Sequence, residues 1–151
     1  MNHASMTRFV ATVRRSVAIE GIVNVLITTN KEMKSLNASF RRKDEATDVL
    51  SFPAEGVNGL AGEIAISLEL AKANAERLGH STSDELKILI LHGMLHLAGY
   101  DHEKDHGEMS KKERRLRESL NLPVGLIERN TIDSEPSGLN QRSTKLARRR
   151  V

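Results

Sequence analysis

The segment between Ser81 and Gly99 constrains the fold more than any other part of the sequence. Its apolar side chains occupy nearly every face of a helix, and Gly99 stands where a left-handed residue ends one. A helix that is apolar all round is buried at the centre of a domain. Ser81, Thr82 or Ser83 can cap its start, and Asp84 and Glu85 suit the positive end of the helix dipole. The sequence therefore predicts a central helix around which the other elements pack.

Three histidines lie in and just after this helix. His92 and His96 are four residues apart, so they lie about 40° apart on one face and roughly 6 Å apart along the axis. The turn at Gly99 allows His102 to supply a third nitrogen from another direction. A lone buried histidine is usually a hydrogen-bonded core residue, but three in so apolar a segment would be costly to desolvate unless something organises them. We predict one zinc ion per chain, with its fourth position open for water as in catalytic sites.

The spacing His-x3-His-x2-Gly-x2-His is that of the extended zinc-protease pattern, with one difference. Those proteases carry Glu directly after the first His, where it acts as the general base. Here that position is Gly93, so peptide hydrolysis is disfavoured. His106 follows Lys104 and Asp105 in a polar stretch, and we expect it to be exposed rather than a fourth ligand.

The remaining elements are predicted from apolar periodicity and turn residues. Helices are expected at residues 8–18, from Asn30 to about Phe40, from Ser67 to Leu78 with Gly79 just past its end, and from about Gly107 to Leu120. Strands are expected at residues 22–28, 49–52 and 62–67. Residues 41–47 are polar and turn-like.

Composition and charge set further limits. The chain has no cysteine, which excludes disulfides and Cys-ligated zinc and fits a reducing cytoplasm. No apolar run reaches the length of a membrane span, and arginines near the N-terminus leave no signal-peptide core, so we expect a cytoplasmic protein without membrane contact. Residues 134–151 hold five basic residues and one acid. We interpret them as a disordered basic tail after a domain of residues 1–133, so the overall basicity says little about nucleic-acid binding.

Three ordered blocks of sequence resemble one known family. The run His-Gly-Met-Leu-His-Leu-Ala-Gly-Tyr-Asp-His, residues 92–102, is similar to the signature of the YbeY family of bacterial endoribonucleases and rRNA maturation factors. Residues 36–53 resemble the family's LNxx[YF]RxKDxxT[DN]VLSFP block, and residues 62–67 its GDIxIS block with Glu63 in place of Asp. The resemblance covers about residues 8–121 and includes Glu108 and Met109. It departs at the N-terminus, where the family usually has a strand before the first helix, and in the basic tail.

The resemblance implies a single-domain α+β fold, with a small mixed sheet of about four strands packed against several helices and a metal site on the central helix. It also implies zinc bound by His92, His96 and His102. The implied activity is cleavage of single-stranded RNA in 16S rRNA processing and ribosome quality control. The ribosomal small subunit and assembly proteins are then the expected partners.

The family's functional arginine corresponds to Arg41, because this residue directly follows the aromatic residue of its block. Arg41 would stabilise negative charge that develops on the phosphoryl oxygens. Arg42 and Lys43 would bind RNA phosphates beside it. Without the resemblance, these three residues would be interpreted as solvated surface charge.

The general base is left open by the sequence. Asp101 can orient a ligand histidine or move protons, which makes it a candidate catalytic residue, but aspartate also favours turns such as the one after Gly99. Glu63 is a further candidate. The 2′-hydroxyl of RNA is an alternative nucleophile to water.

Two other functions remain open. One is a ribosome-assembly factor in which zinc is structural and the basic helix at about residues 107–120, with the tail, does the binding. The other is metal-dependent hydrolysis of a different substrate, which Gly93 makes less favoured.

Overall fold

The computed structural model describes residues 2–41, 47–54 and 59–133, with side chains for all of these except residues 40, 41 and 130–133. The elements in chain order are α1 (His3–Ser16), β1 (Ile22–Thr28), α2 (Asn30–Arg41), β2 (Val49–Pro53), β3 (Leu60–Ser67), α3 (Leu68–Leu78), α4 (Thr82–Leu97), α5 (Glu108–Ser119) and α6 (Leu126–Asp133). The predicted basic tail, residues 134–151, lies outside the described residues. None of the described helices is long and apolar enough to cross a bilayer.

The strands form a mixed sheet in the order β1-β3-β2. β1 runs parallel to the central strand β3, and β2 runs antiparallel to it on the other side. Pro53, paired with Gly62, is accommodated because β2 is an edge strand. The predicted α+β class with a small mixed sheet and several helices is confirmed. The described part of the chain contributes three strands to the sheet, against the expected number of about four.

Successive side chains along each strand point to opposite faces of the sheet. One face packs against α4 and contributes Val23, Val49 and Ile64 to the main hydrophobic core. The other carries a smaller cluster under α2, built from Met33, Leu50, Phe52 and Ala65. The sheet therefore separates α4, with its histidines, from α2.

The helix α4 is the buried central helix that the sequence predicts. All of residues 88–96 are buried. Ser81 caps its start, because the Ser81 hydroxyl oxygen accepts a hydrogen bond from the Asp84 N–H at 3.0 Å. Just past its end, Gly99 adopts a left-handed φ of 102° and the Tyr100 N–H donates back to the Leu95 carbonyl. Both predicted ends of the helix are confirmed.

Two helices differ from the sequence prediction. α1 begins at His3 rather than near residue 8, because the Asn2 side chain accepts a hydrogen bond from the Ser5 N–H at 2.8 Å and caps it. α6 is not predicted at all. It is eight residues long, and its apolar residues Leu126, Ile127 and Ile132 form too short a pattern to indicate a helix.

Candidate metal centre

The helix α4 and the loop after it bring the three predicted histidines together. One nitrogen from each of His92, His96 and His102 lies within 4.8 Å of those of the other two. The ring centroids of His92 and His96 are 5.0 Å apart, and that of His102 is 5.5 Å from each. His92 and His96 are buried, whereas His102 is half-buried. The structure therefore places three imidazoles around one point, as the sequence predicts.

Hydrogen bonds within the loop hold His102 in place. The Asp101 carbonyl accepts from the N–H groups of Lys104 and Asp105, both at 3.0 Å, and the Asp101 carboxylate accepts from the Glu103 N–H at 3.2 Å. Asp101 thus stabilises the turn that carries His102, which is the structural role considered for it. Its role in proton transfer stays a prediction.

The carboxylate of Asp105 connects this loop to α5. It accepts hydrogen bonds from the N–H groups of Gly107 and Met109, both at 2.9 Å. These two bonds are the main reason why the pKa of Asp105 lies below its usual range. Because they satisfy N–H groups at the start of α5, the helix is fixed relative to the His102 loop.

Glu113 on α5 contacts His92 and sets its tautomer. The His92 Nδ1 and Glu113 Oε2 atoms are 2.8 Å apart, and each side chain is only 1% exposed. When Nδ1 carries the proton it donates to this carboxylate oxygen, and Nε2 then retains its lone pair. A carboxylate in this relation to a histidine is a common partner of metal ligands.

Glu113 is not among the residues predicted for the site, although the sequence carries a signal for it. Glu113 lies four residues after Met109 and three before Leu116, which are both buried. A carboxylate on the apolar stripe of an otherwise charged helix indicates a buried partner.

The donor set fits a metal ion. In the described part of the chain, the buried His92 Nε2 and His102 Nδ1 atoms have no hydrogen-bond partner. A buried polar atom without a hydrogen-bond partner lowers the stability of the fold by about 1–3 kcal/mol, and a bound ion would remove this cost. Burial, followed by the neighbouring His92, lowers the pKa of His102 and keeps its imidazole neutral. Three imidazole nitrogens in this arrangement suit zinc and several other first-row metal ions.

Gly93 lies on the side of α4 that faces the sheet. A Cβ atom at this position would lie 3.0 Å from the Ser51 hydroxyl oxygen and 3.1 Å from two side-chain carbons of Ile64. The Ser51 hydroxyl also donates a hydrogen bond of 3.1 Å to the Gly93 carbonyl. Glycine is present because the helix backbone packs closely against β2 and β3. The absence of a protease-type general base here thus has a packing reason.

Of the other predicted residues, three fall outside the described side chains and two lie within the description. Arg41 is the last residue of α2, but its side chain lies outside the description, as do Arg42 and Lys43 altogether. Glu63 is exposed and lies on the sheet face opposite α4, where it lines a groove of about 480 Å³. His106 is exposed, as expected.

The fold and the site define a small α+β protein with a three-histidine candidate metal centre on its central helix. The profile of the family described as Endoribonuclease YbeY matches residues 3–121. The chain is 53% identical over 131 residues to Endoribonuclease YbeY of Koribacter versatilis (strain Ellin345), which covers 87% of this chain and 86% of that one. It is 45% identical over 113 residues to Endoribonuclease YbeY of Campylobacter jejuni (strain RM1221), covering 74% of this chain and 84% of the relative.

A solved structure agrees with these relatives. The solution structure of a protein from Thermotoga maritima is 28% identical, with a TM-score of 0.55 and coverage of 91% of each chain. The chain belongs to the YbeY endoribonuclease family, as its motifs predict.

Proposed function

We propose that this chain is a zinc-dependent endoribonuclease that cleaves single-stranded RNA in 16S rRNA maturation and ribosome quality control in the cytoplasm. One zinc ion would be held by His92, His96 and His102. The observation that carries the proposal is the meeting of three buried or half-buried imidazoles, of which one, His92, also contacts the buried carboxylate of Glu113. That relatives are named endoribonucleases supports RNA as the substrate.

When bound, zinc supplies Lewis acidity that activates water and polarises a phosphoryl oxygen. Glu113 keeps the proton of His92 on Nδ1, which leaves Nε2 as the donor atom. His92 and His96 are buried and His102 is half-buried, so an RNA phosphate would approach from the side of the His102 loop.

Arg41 is proposed to stabilise negative charge that develops on the phosphoryl oxygens, with Arg42 and Lys43 binding RNA phosphates next to it. Its position within the region matched by the family profile supports this role. Asp101 is proposed to assist proton transfer, because it directly precedes His102. The small ribosomal subunit and assembly proteins are its proposed partners, because the proposed substrate is ribosomal RNA.

Cleavage of an end-labelled single-stranded RNA by the zinc-loaded full chain tests the proposal. His92→Ala should abolish cleavage together with zinc binding. Arg41→Ala should bind zinc normally and cleave RNA about 10²–10³-fold more slowly. This is the usual effect of removing one donor that stabilises transition-state charge. Arg15→Ala removes an exposed arginine from α1 and should change neither property. Undiminished cleavage by His92→Ala, or after chelation of the metal, would contradict the proposal.

The same assay separates the remaining alternatives. A double-stranded RNA of the same sequence should be cut far more slowly if the enzyme prefers single strands. Products that end in a 2′,3′-cyclic phosphate would identify the 2′-hydroxyl as the nucleophile, whereas hydrolysis by water gives a linear phosphate. If RNA stays intact while the protein associates with ribosomes, the chain is an assembly factor with a structural metal.

A further inference from the structure

The segment that begins α6 contacts the metal centre through Glu113. The Ile127 N–H donates a hydrogen bond of 2.8 Å to Glu113 Oε1, while Glu113 Oε2 is the atom that accepts from His92. Each oxygen of the carboxylate is therefore held by a different element, one by α4 and one by α6. Ile127 lies beyond residues 3–121, which the family profile matches.

Gly125 closes off the side of Glu113. A Cβ atom on Gly125 would lie 2.6 Å from Glu113 Oε1, 2.9 Å from Cδ and 3.0 Å from Cγ. The backbone at this position thus lies directly against the carboxylate and leaves no space for a methyl group. Glu113 cannot move toward α6 without displacing that backbone.

Two ion pairs anchor α6 to its neighbours. The guanidinium of Arg129, whose side chain is 4% exposed, makes two hydrogen bonds to the carboxylate of Glu85 on α4, at 2.9 and 3.0 Å. Glu128 pairs with Arg117 of α5 at 2.9 Å. Because α6 is bound to both α4 and α5, the backbone at residues 125–127 is held at a fixed position relative to Glu113.

We propose that residues 125–129, the C-terminal clamp, position Glu113 and through it the metal-binding nitrogen of His92. Glu113 is then a positioning residue, and the affinity of the metal site depends on a segment that supplies no ligand. This inference rests on the metal site of the proposed function but not on RNA cleavage. If Glu113 only filled space between helices, its loss would lower stability and leave metal binding unchanged.

Glu113→Gln is the direct variant. Glutamine has one acceptor oxygen, so it cannot accept from both His92 Nδ1–H and the Ile127 N–H, and its NH₂ group must face one of these donors. Zinc affinity of the full chain, measured by competition with a chromophoric chelator, should fall about 10–100-fold, the usual effect of removing a partner of a metal ligand. The visible absorption spectrum of the Co²⁺-loaded protein should change as well. Glu118→Gln, an exposed site on the same helix, is the matched control and should leave both readouts unchanged.

Gly125→Ala tests the clamp without touching a ligand or Glu113 itself. The added methyl group must push the Glu113 carboxylate away from its present position. As for Glu113→Gln, zinc affinity should fall, here by about tenfold. Val124→Ala changes the adjacent residue, whose side chain is 39% exposed, and should have no effect. Zinc affinity equal to wild type in both Glu113→Gln and Gly125→Ala would overturn the proposal.

The tautomer of His92 gives a readout that needs no metal, and its first measurement is made on the wild-type chain. ¹⁵N NMR of the imidazole in the metal-free full chain should show the proton on Nδ1, and Gly125→Ala should shift the population toward the Nε2 tautomer. A wild-type His92 protonated on Nε2 would overturn the clamp even if either variant fails to fold. Failure of the proposed function looks different: the affinity and tautomer effects would then appear while RNA remains uncut.

Discussion

Both ends of α4 bury a cluster of polar side chains, and the two clusters differ in how their hydrogen bonds are satisfied. Near the N-terminal end, Glu85 is fully buried and receives bonds from Arg129, from Asn74 at 3.1 Å and from His80 at 2.7 Å. These four residues are called the Glu85 network below. At the C-terminal end, His92, His96 and His102 form the histidine cluster.

The two clusters differ in whether their buried polar atoms have hydrogen-bond partners within the protein. In the Glu85 network the buried charge of the carboxylate is matched by a guanidinium in a two-bond arrangement. In the histidine cluster, His92 Nε2 and His102 Nδ1 are buried without a hydrogen-bond partner within the described ranges. Since native proteins satisfy nearly all buried polar atoms, the Glu85 network is satisfied within the protein, whereas the histidine cluster leaves two buried nitrogens that a metal ion could satisfy. Burial alone would not have distinguished them.

The largest effect is expected from Glu85→Gln. The substitution leaves the buried guanidinium of Arg129 without its counter-charge, which typically lowers the free energy of unfolding by about 3–5 kcal/mol. Urea denaturation of the metal-free protein measures the change. Glu76→Gln, an exposed position on α3, should shift it by less than about 0.5 kcal/mol. A loss of under about 1 kcal/mol for Glu85→Gln would show that the network is not a stabilising charge pair.

Zinc should stabilise the fold only through the histidine cluster. At a free concentration one hundred times the Kd, binding to the folded state adds about 2.7 kcal/mol to the free energy of unfolding. His102→Ala should lose this increment, whereas Asn74→Ala should keep it despite a lower starting stability. Denaturation with and without zinc gives both values. Equal increments in wild type and His102→Ala would place the ion elsewhere.

The two clusters should respond to acid in different pH ranges. Burial lowers the pKa of His102 below its usual 6.5, so the unfolded state binds the proton more readily and metal-free stability falls as the pH drops below about 6.5. Burial alone would raise the pKa of Glu85, but Arg129, with His80 and Asn74, outweighs it and lowers the pKa from 4.5. The stability that Glu85 provides is therefore present above pH 4.5 and lost as the pH falls through its folded pKa.

Variants test which cluster causes the loss of stability in each of these two pH ranges. His102→Ala should flatten the fall in stability that begins near pH 6.5, and Glu85→Gln the fall below pH 4.5. Each proton that binds to only one of the two states, folded or unfolded, changes the free energy of unfolding by at most about 1.4 kcal/mol per pH unit. Unfolding free energies from pH 7 to pH 3 in the presence of a chelator provide the comparison. A single transition shared by both variants would mean that the two clusters titrate as one unit.

The smallest effect is expected at Ser51. Its buried hydroxyl donates to the Gly93 carbonyl, on the sheet-facing side of the same helical turn that carries His92. Ser51→Ala should lower the free energy of unfolding by about 1 kcal/mol and leave zinc affinity unchanged. If zinc affinity falls tenfold, the metal centre depends on the sheet more than the contacts indicate.

The sequence is informative where a pattern is local. The apolar residues of α4, the turn at Gly99 and the spacing of the three histidines all lie within 21 residues, so the metal centre could be predicted before its geometry was known. The strands and the helices α2 to α5 follow from similarly local periodicity and capping residues.

The missed features depend on contacts between distant residues. Glu85 was assigned to the helix dipole, because a carboxylate in a first turn is usually exposed, and its partner Arg129 is 44 residues away in a helix that no pattern indicates. Glu113 stands among Lys112, Arg114 and Arg115, where it looks like one side of a solvated charged helix. For Glu113 the one local signal is its place on the apolar stripe between Met109 and Leu116. The packing of α5 and α6 against α4 identifies the partners of both carboxylates.

The close approach of Gly93 to Ser51 and Ile64 also bears on how such sites can evolve. Replacing Gly93 by Glu would reproduce the zinc-protease motif in sequence, yet the new side chain would meet the sheet. Replacing Gly93 by Glu alone therefore does not give a protease helix, because the Ser51 and Ile64 side chains of β2 and β3 would have to give way first. Two catalysts can share a ligand spacing and still be separated by how tightly the helix packs on its sheet.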